Sequence, residues 1–466
     1  MNDVGAAAHQ DTPASKRGIW GWIFFDWATQ PFHTLIFTFV FAPYFAAYVA
    51  PDPAKGQELW GLATGIGGVL IAFTSPVLGA VADAVGPRKP FIFAFSVIGV
   101  IACAALWFAT PGMENMTLIL VAVALGVFGM EYAAVFNNAM MPYLVPRSEL
   151  GRLSGSAWGF GYVGGLLSLV LVLGFMSAPP DATHTLLGFE PIFGLDPAQH
   201  EGDRASGPLT ALWYIVFVLP MFLFTPDRAK DRRLPLLDCA KQGGKSLVTT
   251  VRKLRHYRNA LAYLIAFMLY NDGLAAIIAF GGVYASATFG WPTLTLGIFG
   301  IILTVFAIPG AFLGGKLDDL LGSKRTVQLA IAGVIIATVG IVGVTADRVL
   351  FVIPADPLGS GRGLFGSTQE KVFMAFALLL GFCMGPMQAA SRTLIGRLAP
   401  QGMTGEFYGL FALSGRATAW MAPTAIGIIT VATSSNRLGV ACVLVFLVFG
   451  FCLLWTVREE RAPTRD

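Results

Sequence analysis

The chain has 466 residues, of which 55% are hydrophobic and only 12% charged, and its mean hydropathy is +0.68. A soluble chain would carry about 25% charged residues, so this composition argues against a soluble enzyme and points to a bilayer as the solvent. The net charge of +4 then reflects topology and does not suggest a nucleic-acid partner.

In chain order, a polar stretch of 19 residues comes first. Apolar runs long enough to cross ~30 Å of hydrocarbon then recur twelve times. They lie at 20–49, 59–82, 90–110, 117–141, 153–177, 208–225, 259–287, 293–314, 326–345, 371–391, 406–431 and 436–457. The expected fold class is therefore an all-α membrane protein of twelve transmembrane helices. The first run is long and the last short, so tilt or a kink is expected there. The first run is also too long for a signal h-region, and no cleavable signal peptide is expected. Cys103, Cys383, Cys442 and Cys452 fall in the runs and Cys239 in a basic loop. None is placed for an external disulfide, and no Cys/His spacing suggests a metal site or cofactor.

Lysine and arginine placement gives an orientation. With the N-terminus inside, 24 of the 31 fall in inner segments, 6 in outer ones, and Arg416 inside a run. Both termini are thus expected in the cytoplasm. The longest inner connection, 226–258, carries ten basic residues. It reads either as a solvated linker or as an amphipathic helix on the inner leaflet. The expected layout is a tail (1–19), a six-helix bundle (20–225), the basic linker (226–258), a second six-helix bundle (259–457) and a tail (458–466).

The two bundles repeat each other. Gly79-x-x-x-Asp83-x-x-Gly86-x-Arg88-Lys89 returns 236 residues later as Gly315-x-x-x-Asp319-x-x-Gly322-x-Lys324-Arg325. Pro146 and Gly151-Arg-Leu-Ser-Gly155 return 254 residues later as Pro400 and Gly405-Glu-Phe-Tyr-Gly409. Such repeats are the build of secondary transporters, with the substrate site near the midplane. Gly79 and Gly315 would permit close helix approach, and Gly86 and Gly322 suit a turn with positive φ. The symmetry suggests Gly405 as the partner of Asp83 and Gly151 as that of Asp319. Arg88 or Lys89 would then pair with Glu406, and Arg152 with Asp319. These contacts would act as inner-face latches. The basic residues alone also satisfy the positive-inside rule.

On these features the chain resembles the major facilitator superfamily over about residues 18–458. Within it the chain looks like the "unknown major facilitator" family, which includes the fungal vacuolar amino-acid effluxers. The narrower likeness rests on Phe25-Asp26-Trp27-Ala28, on Asn137-Asn138-Ala139 through Pro142, on Asn271-Asp272-Gly273, and on Gln388-x-x-Ser391-Arg392 and Glu406-Phe407-x-Gly409. Gln30-Pro31-Phe32-His33 departs from that family's usual first span. The long extra loops of a fungal vacuolar member are missing, so the address expected is a bacterial inner (plasma) membrane. The resemblance implies that spans 1, 4, 7 and 10 line a central cavity and that the inner loops act as latches. It also implies a solute like an amino acid.

Asp26, Glu131, Asp272 and Arg416 lie well inside runs, where each ionisable group costs at least ~2.5 kcal/mol on insertion scales and needs a partner or a wet cavity. Asp26, Gln30 and His33 are at i, i+4 and i+7, on one helical face, with Pro31 expected to bend the helix beside them. They could pass a proton or hold a polar solute; His33 alone could instead simply bond a neighbouring helix. Glu131, followed by Asn137 and Asn138, is the candidate for proton coupling, or else a static ion pair with Arg416. Arg416, with Trp420 one turn on, suits an anionic group, while Asp272 or Asp26 would take an ammonium. Arg392, beside Gln388 and Ser391, is expected to serve as a gate or latch. The glycines at 151, 155, 159, 161 and 165 are spaced for close helix packing.

The function expected is a secondary active transporter of a small polar, zwitterionic solute, coupled to protons, monomeric and not an enzyme. The alternatives are transport of a sugar, drug or lipid, or a membrane enzyme acting on a lipid-linked substrate. For the enzyme, the outer loop 178–207 with His184 and His200 is the candidate site, but it lacks metal-ligand spacing, and no P-loop or nucleophile elbow is present.

Overall fold

Each signature loop forms because a glycine stands where the chain must reverse between two long helices. Gly86 has φ +102° and Gly322 φ +90°, a region that a side chain rarely tolerates. The computed structural model describes residues 13–179, 182–227, 257–355, 358 and 363–459. Among them, eleven helices are long and apolar enough to cross a membrane. These are Lys16–Val49, Pro53–Val85, Lys89–Phe108, Thr117–Tyr143, Arg147–Met176, Glu201–Phe224, Arg258–Phe289, Thr295–Leu321, Ser323–Val342, Thr368–Leu398 and Asn436–Leu454. They correspond in order to expected spans 1–10 and 12.

The expected span 11, 406–431, is divided. It comes as a 14-residue helix, Thr404–Ala417, and a 13-residue helix, Met421–Thr433. Neither is long enough to cross alone. A tiny hairpin pairs Arg348–Val349 with Ile353–Pro354 in the loop before span 10. The basic connection, with its two readings as linker or surface helix, lies almost wholly outside the described residues.

The chain divides into two units. Unit 1 is 1–153, 160–248 and 400–409; unit 2 is 154–159, 249–399 and 410–466. Inside unit 1, span 4 packs on spans 2 and 3, and span 6 on spans 1 and 3. Inside unit 2, span 10 packs on spans 8 and 9, and span 12 on spans 7 and 9. Adding six to each span number of unit 1 gives the pairs of unit 2, so the sequence repeat is also a packing repeat.

Its small-residue contacts correspond as well. In unit 1, Gly409 sits against the Ser75 carbonyl, and in unit 2 Gly155 sits against the Ala311 carbonyl. The offsets are those of the two sequence repeats. Gly159 packs on the Phe312 ring in unit 2, while Gly161 and Gly165 pack on Asp26 and Gln30 of span 1 in unit 1.

Span 1 changes helix type along its length. Its α-helix runs Lys16–Pro31 and gives way to an eight-residue π-helix, Phe32–Phe39. Pro31 has no N–H and cannot continue the regular ladder. Large apolar side chains such as Phe73 (76% exposed) and Val431 (82%) stand on the surface, as expected where lipid replaces water.

Candidate functional site

The first signature loop is built around Asp83. Its Oδ1 accepts from the Gly405 backbone N–H at 3.0 Å and its Oδ2 from the Glu406 N–H at 2.8 Å. These are the opening residues of the helix Thr404–Ala417, whose first-turn N–H groups have no helical partners and favour an anion. Gly79 is needed here, because a Cβ at that position would overlap the Gly405 carbonyl. Ser75 Oγ donates to the Gly409 carbonyl at 2.8 Å one turn along. All of these contacts lie inside unit 1.

Arg88 or Lys89 was expected to reach Glu406, and the partners of both lie elsewhere. Arg88, 2% exposed, folds back on its own loop. It pairs with Asp83 and donates to the carbonyls of Ala82 and Gly86, the latter at 2.8 Å. Lys89 Nζ donates to the Phe222 carbonyl at 2.8 Å. A turn this tight brings the guanidinium closer to its own carbonyls than to the next helix.

An acid that was not anticipated caps span 3. Asp227, just past span 6, accepts from the backbone N–H groups of Arg88 (2.8 Å) and Lys89 (2.9 Å). In unit 2, Glu459, just past span 12, accepts from Ser323 N–H (2.9 Å) and Lys324 N–H (2.8 Å). The two acids do the same work six spans apart, with the register moved by one residue.

The second signature loop differs in its charges. Lys324 Nζ donates to the Val457 and Trp455 carbonyls at 2.7 and 3.1 Å, and Arg325 is exposed. The central cation is instead Arg397, near the end of span 10. It lies 2.8 Å from Asp318, 2.8 Å from Glu459 and 3.8 Å from Asp319. Asp318, outside the motif, is the more deeply buried aspartate at 1% exposed, and it also accepts from Ser323 Oγ at 2.9 Å. Arg152 has Glu149 at 3.5 Å.

Arg392, 4% exposed, donates from Nε to Ser154 Oγ at 3.0 Å and from Nη2 to the Ser154 carbonyl at 2.9 Å. Its guanidinium also lies 5.7 Å from the Trp158 ring centre. Ser391 joins Tyr270 and Tyr263 through its hydroxyl and carbonyl, each at 2.6 Å. Gln388, one turn earlier, is half-buried.

The intramembrane residues fall in both units. In unit 1, Asp26, Gln30, Glu131 and Asn138 are half-buried, while His33 is exposed. Asp26 and Gln30 lie in the α-helical part of span 1, and His33 lies in the π-helix that begins at Phe32. Asn137 is fully buried; its carbonyl accepts from Trp22 Nε1 at 2.8 Å, and neither side-chain amide atom has a hydrogen-bond partner. In unit 2, Asn271 Nδ2 reaches the Gly415 carbonyl at 3.4 Å. Asp272 is 1% exposed, and neither of its oxygens has a hydrogen-bond partner of normal geometry among the described residues. Arg416 is half-buried, and Trp420, in the interruption of span 11, is 64% exposed.

This architecture is shared with solved transporters. A bacterial fucose transporter of the major facilitator superfamily, FucP, in an outward conformation superposes with a TM-score of 0.69 at 16% identity, covering 95% of this chain and 99% of that one. The human organic anion transporter MFSD10 does so with a TM-score of 0.65 at 14% identity, covering 95% and 100%. The molecule thus has the all-α, multi-pass membrane fold of the major facilitator superfamily.

Residues 61–465 match the family described as "Vacuole effluxer Atg22 like", and the chain belongs to that family. Among its relatives is an uncharacterized MFS-type transporter, YxiO, of Bacillus subtilis, 24% identical over 442 residues and covering 94% of each chain. Autophagy-related protein 22-1 of Aspergillus fumigatus is 24% identical over 323 residues, 66% of this chain and 48% of that one. The match thus spans about half the length of that fungal relative.

Proposed function

We propose that this transporter carries a small zwitterionic, amino-acid-like solute by alternating access and is driven by protons. The observation that carries this reading is the presence of half-buried ionisable groups within the spans, the acids Asp26 and Glu131 in unit 1 and the arginine Arg416 in unit 2. Arginine suits a carboxylate because its planar fork bonds both oxygens. Asp26 is better suited to an ammonium than Asp272, which is too enclosed for an organic group. Glu131 is the proton-coupling group, and the Asp83 junction is an inner latch that is made and broken during the cycle. The fungal relatives' family description as vacuole effluxers supports a solute exporter. The lysine and arginine bias supports cytoplasmic termini in a plasma membrane, with 20–225 and 259–457 as the two bundles of a monomer.

Flux into liposomes containing the purified protein tests the proposal. Labelled amino acids are expected to accumulate under an imposed pH gradient, and Glu131→Gln should abolish that accumulation while keeping solute exchange. Transport confined to neutral sugars would remove the role of Arg416, and gradient-driven uptake by Glu131→Gln would remove that of Glu131.

A further inference from the structure

We propose that Asp272 and the interruption of span 11 form a binding site for a single alkali-metal cation, Na+ or Li+. Asp272 lies in span 7, 1% exposed, and neither carboxylate oxygen has a hydrogen-bond partner among the described residues. An ionised carboxylate left in this way is among the most unfavourable arrangements a protein can hold, and it is relieved by a proton, a cation or a hydrogen-bond donor. The Thr418 hydroxyl faces it and is itself buried with no hydrogen bond of normal geometry.

Thr418 is the first residue after the helix Thr404–Ala417, and the next helix starts at Met421. Between them the ladder changes to three-residue bonds, Ala419 N–H to the Arg416 carbonyl at 3.4 Å and Met421 N–H to the Thr418 carbonyl at 2.7 Å. The first helix therefore ends in mid-span with carbonyls short of their usual donors, and a helix C-terminus favours positive charge. Asn271, adjacent to Asp272, ties span 7 to this last turn through the Gly415 carbonyl at 3.4 Å. Discontinuous helices use such ends to coordinate Na+ in other membrane transporters.

The ligand chemistry selects the ion class. A carboxylate, a hydroxyl and backbone carbonyls are all hard oxygen donors carrying one negative charge, which balances one monovalent cation. A divalent ion takes more carboxylate oxygen, and no group of three or more His, Cys, Asp or Glu is arranged for a metal among the described residues. Arg416, two residues before Thr418, does not neutralise the site, because both Asp272 oxygens are unengaged. An exposure of 1% admits a bare ion and not an organic ammonium. The site thus differs from that proposed for the solute.

The test is the thermal unfolding midpoint of the purified full-length protein at constant ionic strength, with choline chloride replaced stepwise by NaCl or LiCl. Binding to the folded state alone raises the midpoint. A saturable rise of a few degrees is expected in Na+ or Li+. Asp272→Asn should lose that rise, and its midpoint in choline should equal or exceed that of the unaltered protein, since the unpaired charge is gone. Thr418→Ala should fold normally and need about tenfold more Na+ for half-saturation; if Asp272→Asn does not fold, that shift carries the test. Equal midpoints in Na+, Li+ and choline overturn the proposal. So does an Asp272→Asn protein that keeps the rise, a Thr418→Ala protein with unchanged half-saturation, or a midpoint that answers pH but not Na+.

Discussion

Replacing Asp83 by Asn changes one atom at the junction that ties the first signature loop to residues 405 and 406. The carboxylate accepts two backbone N–H bonds, at 3.0 and 2.8 Å, and pairs with a buried Arg88. Asn retains one acceptor and presents an NH2 to the other donor, so one bond becomes a repulsion and the remaining one loses its charge. A hydrogen bond to a charged group contributes about 1.5–3 kcal/mol. The junction should weaken by about 2–3 kcal/mol, which shifts the population holding it about 30- to 150-fold. Arg88 keeps the carbonyls of Ala82 and Gly86, so the loop should still fold. Gly79→Ala reaches the same junction without altering charge, because its Cβ would meet the Gly405 carbonyl. Both variants should insert at normal levels, lose most solute flux in liposomes, and raise the labelling rate of a cysteine placed at position 402. Unchanged flux and labelling in both would refute the latch, while loss of protein from the membrane in both would make the junction structural.

Arg397→Ala should lower the unfolding midpoint by several degrees. It leaves Asp318, 1% exposed, without its cation, and breaking a buried pair on one side costs about 3–5 kcal/mol; a midpoint within a degree of wild type would contradict this. Asp227→Ala and Glu459→Ala each remove the acceptor for two helix-start N–H groups, at a cost of about 1–2 kcal/mol. The larger midpoint loss is expected for Glu459→Ala, which also removes a partner of Arg397, with faster amide exchange at residues 88–89 in the first variant and 323–324 in the second. Gly155→Ala and Gly409→Ala should be equally harmful, each by about 1–3 kcal/mol of overpacking, since each new Cβ would press on a carbonyl at the repeat-related place. Unequal losses measured by thermal unfolding would separate the two contacts.

The spans and the duplication were legible because both are written as composition and spacing. Asp83 and its partner at 405 were legible for the same reason, since the repeat points to that helix start as the partner of the first loop. The cations of the second loop were not. Lys324 sits at the motif position, yet its ammonium goes to the Trp455 and Val457 carbonyls, and Arg397 takes the acids. Arg397, Asp318 and Glu459 lie in three separate stretches and share no spacing pattern. Asp227 and Glu459 could have been found by asking which acid follows the last span of each bundle. The interruption at 418–420 was signalled by Gly415 before it and by Pro423 after it, since Pro423 has no N–H for the Ala419 carbonyl. The π-helix at Phe32–Phe39 was not legible, because a helical wheel assumes one angular step throughout.

The π-helix at Phe32–Phe39 also bears on how this chain can change in length. Each bond there spans five residues where an ordinary helix needs four, so the segment holds surplus chain over the same rise. Membrane helices tolerate such local adjustments because the backbone groups still find partners. Losing one residue between 32 and 39 would let the segment close into ordinary turns and remove a misfit, leaving the crossing intact. The same deletion in a regular span would rotate everything beyond it. The first span is therefore where relatives with one residue fewer should be found, and where a one-residue deletion library should recover folded protein.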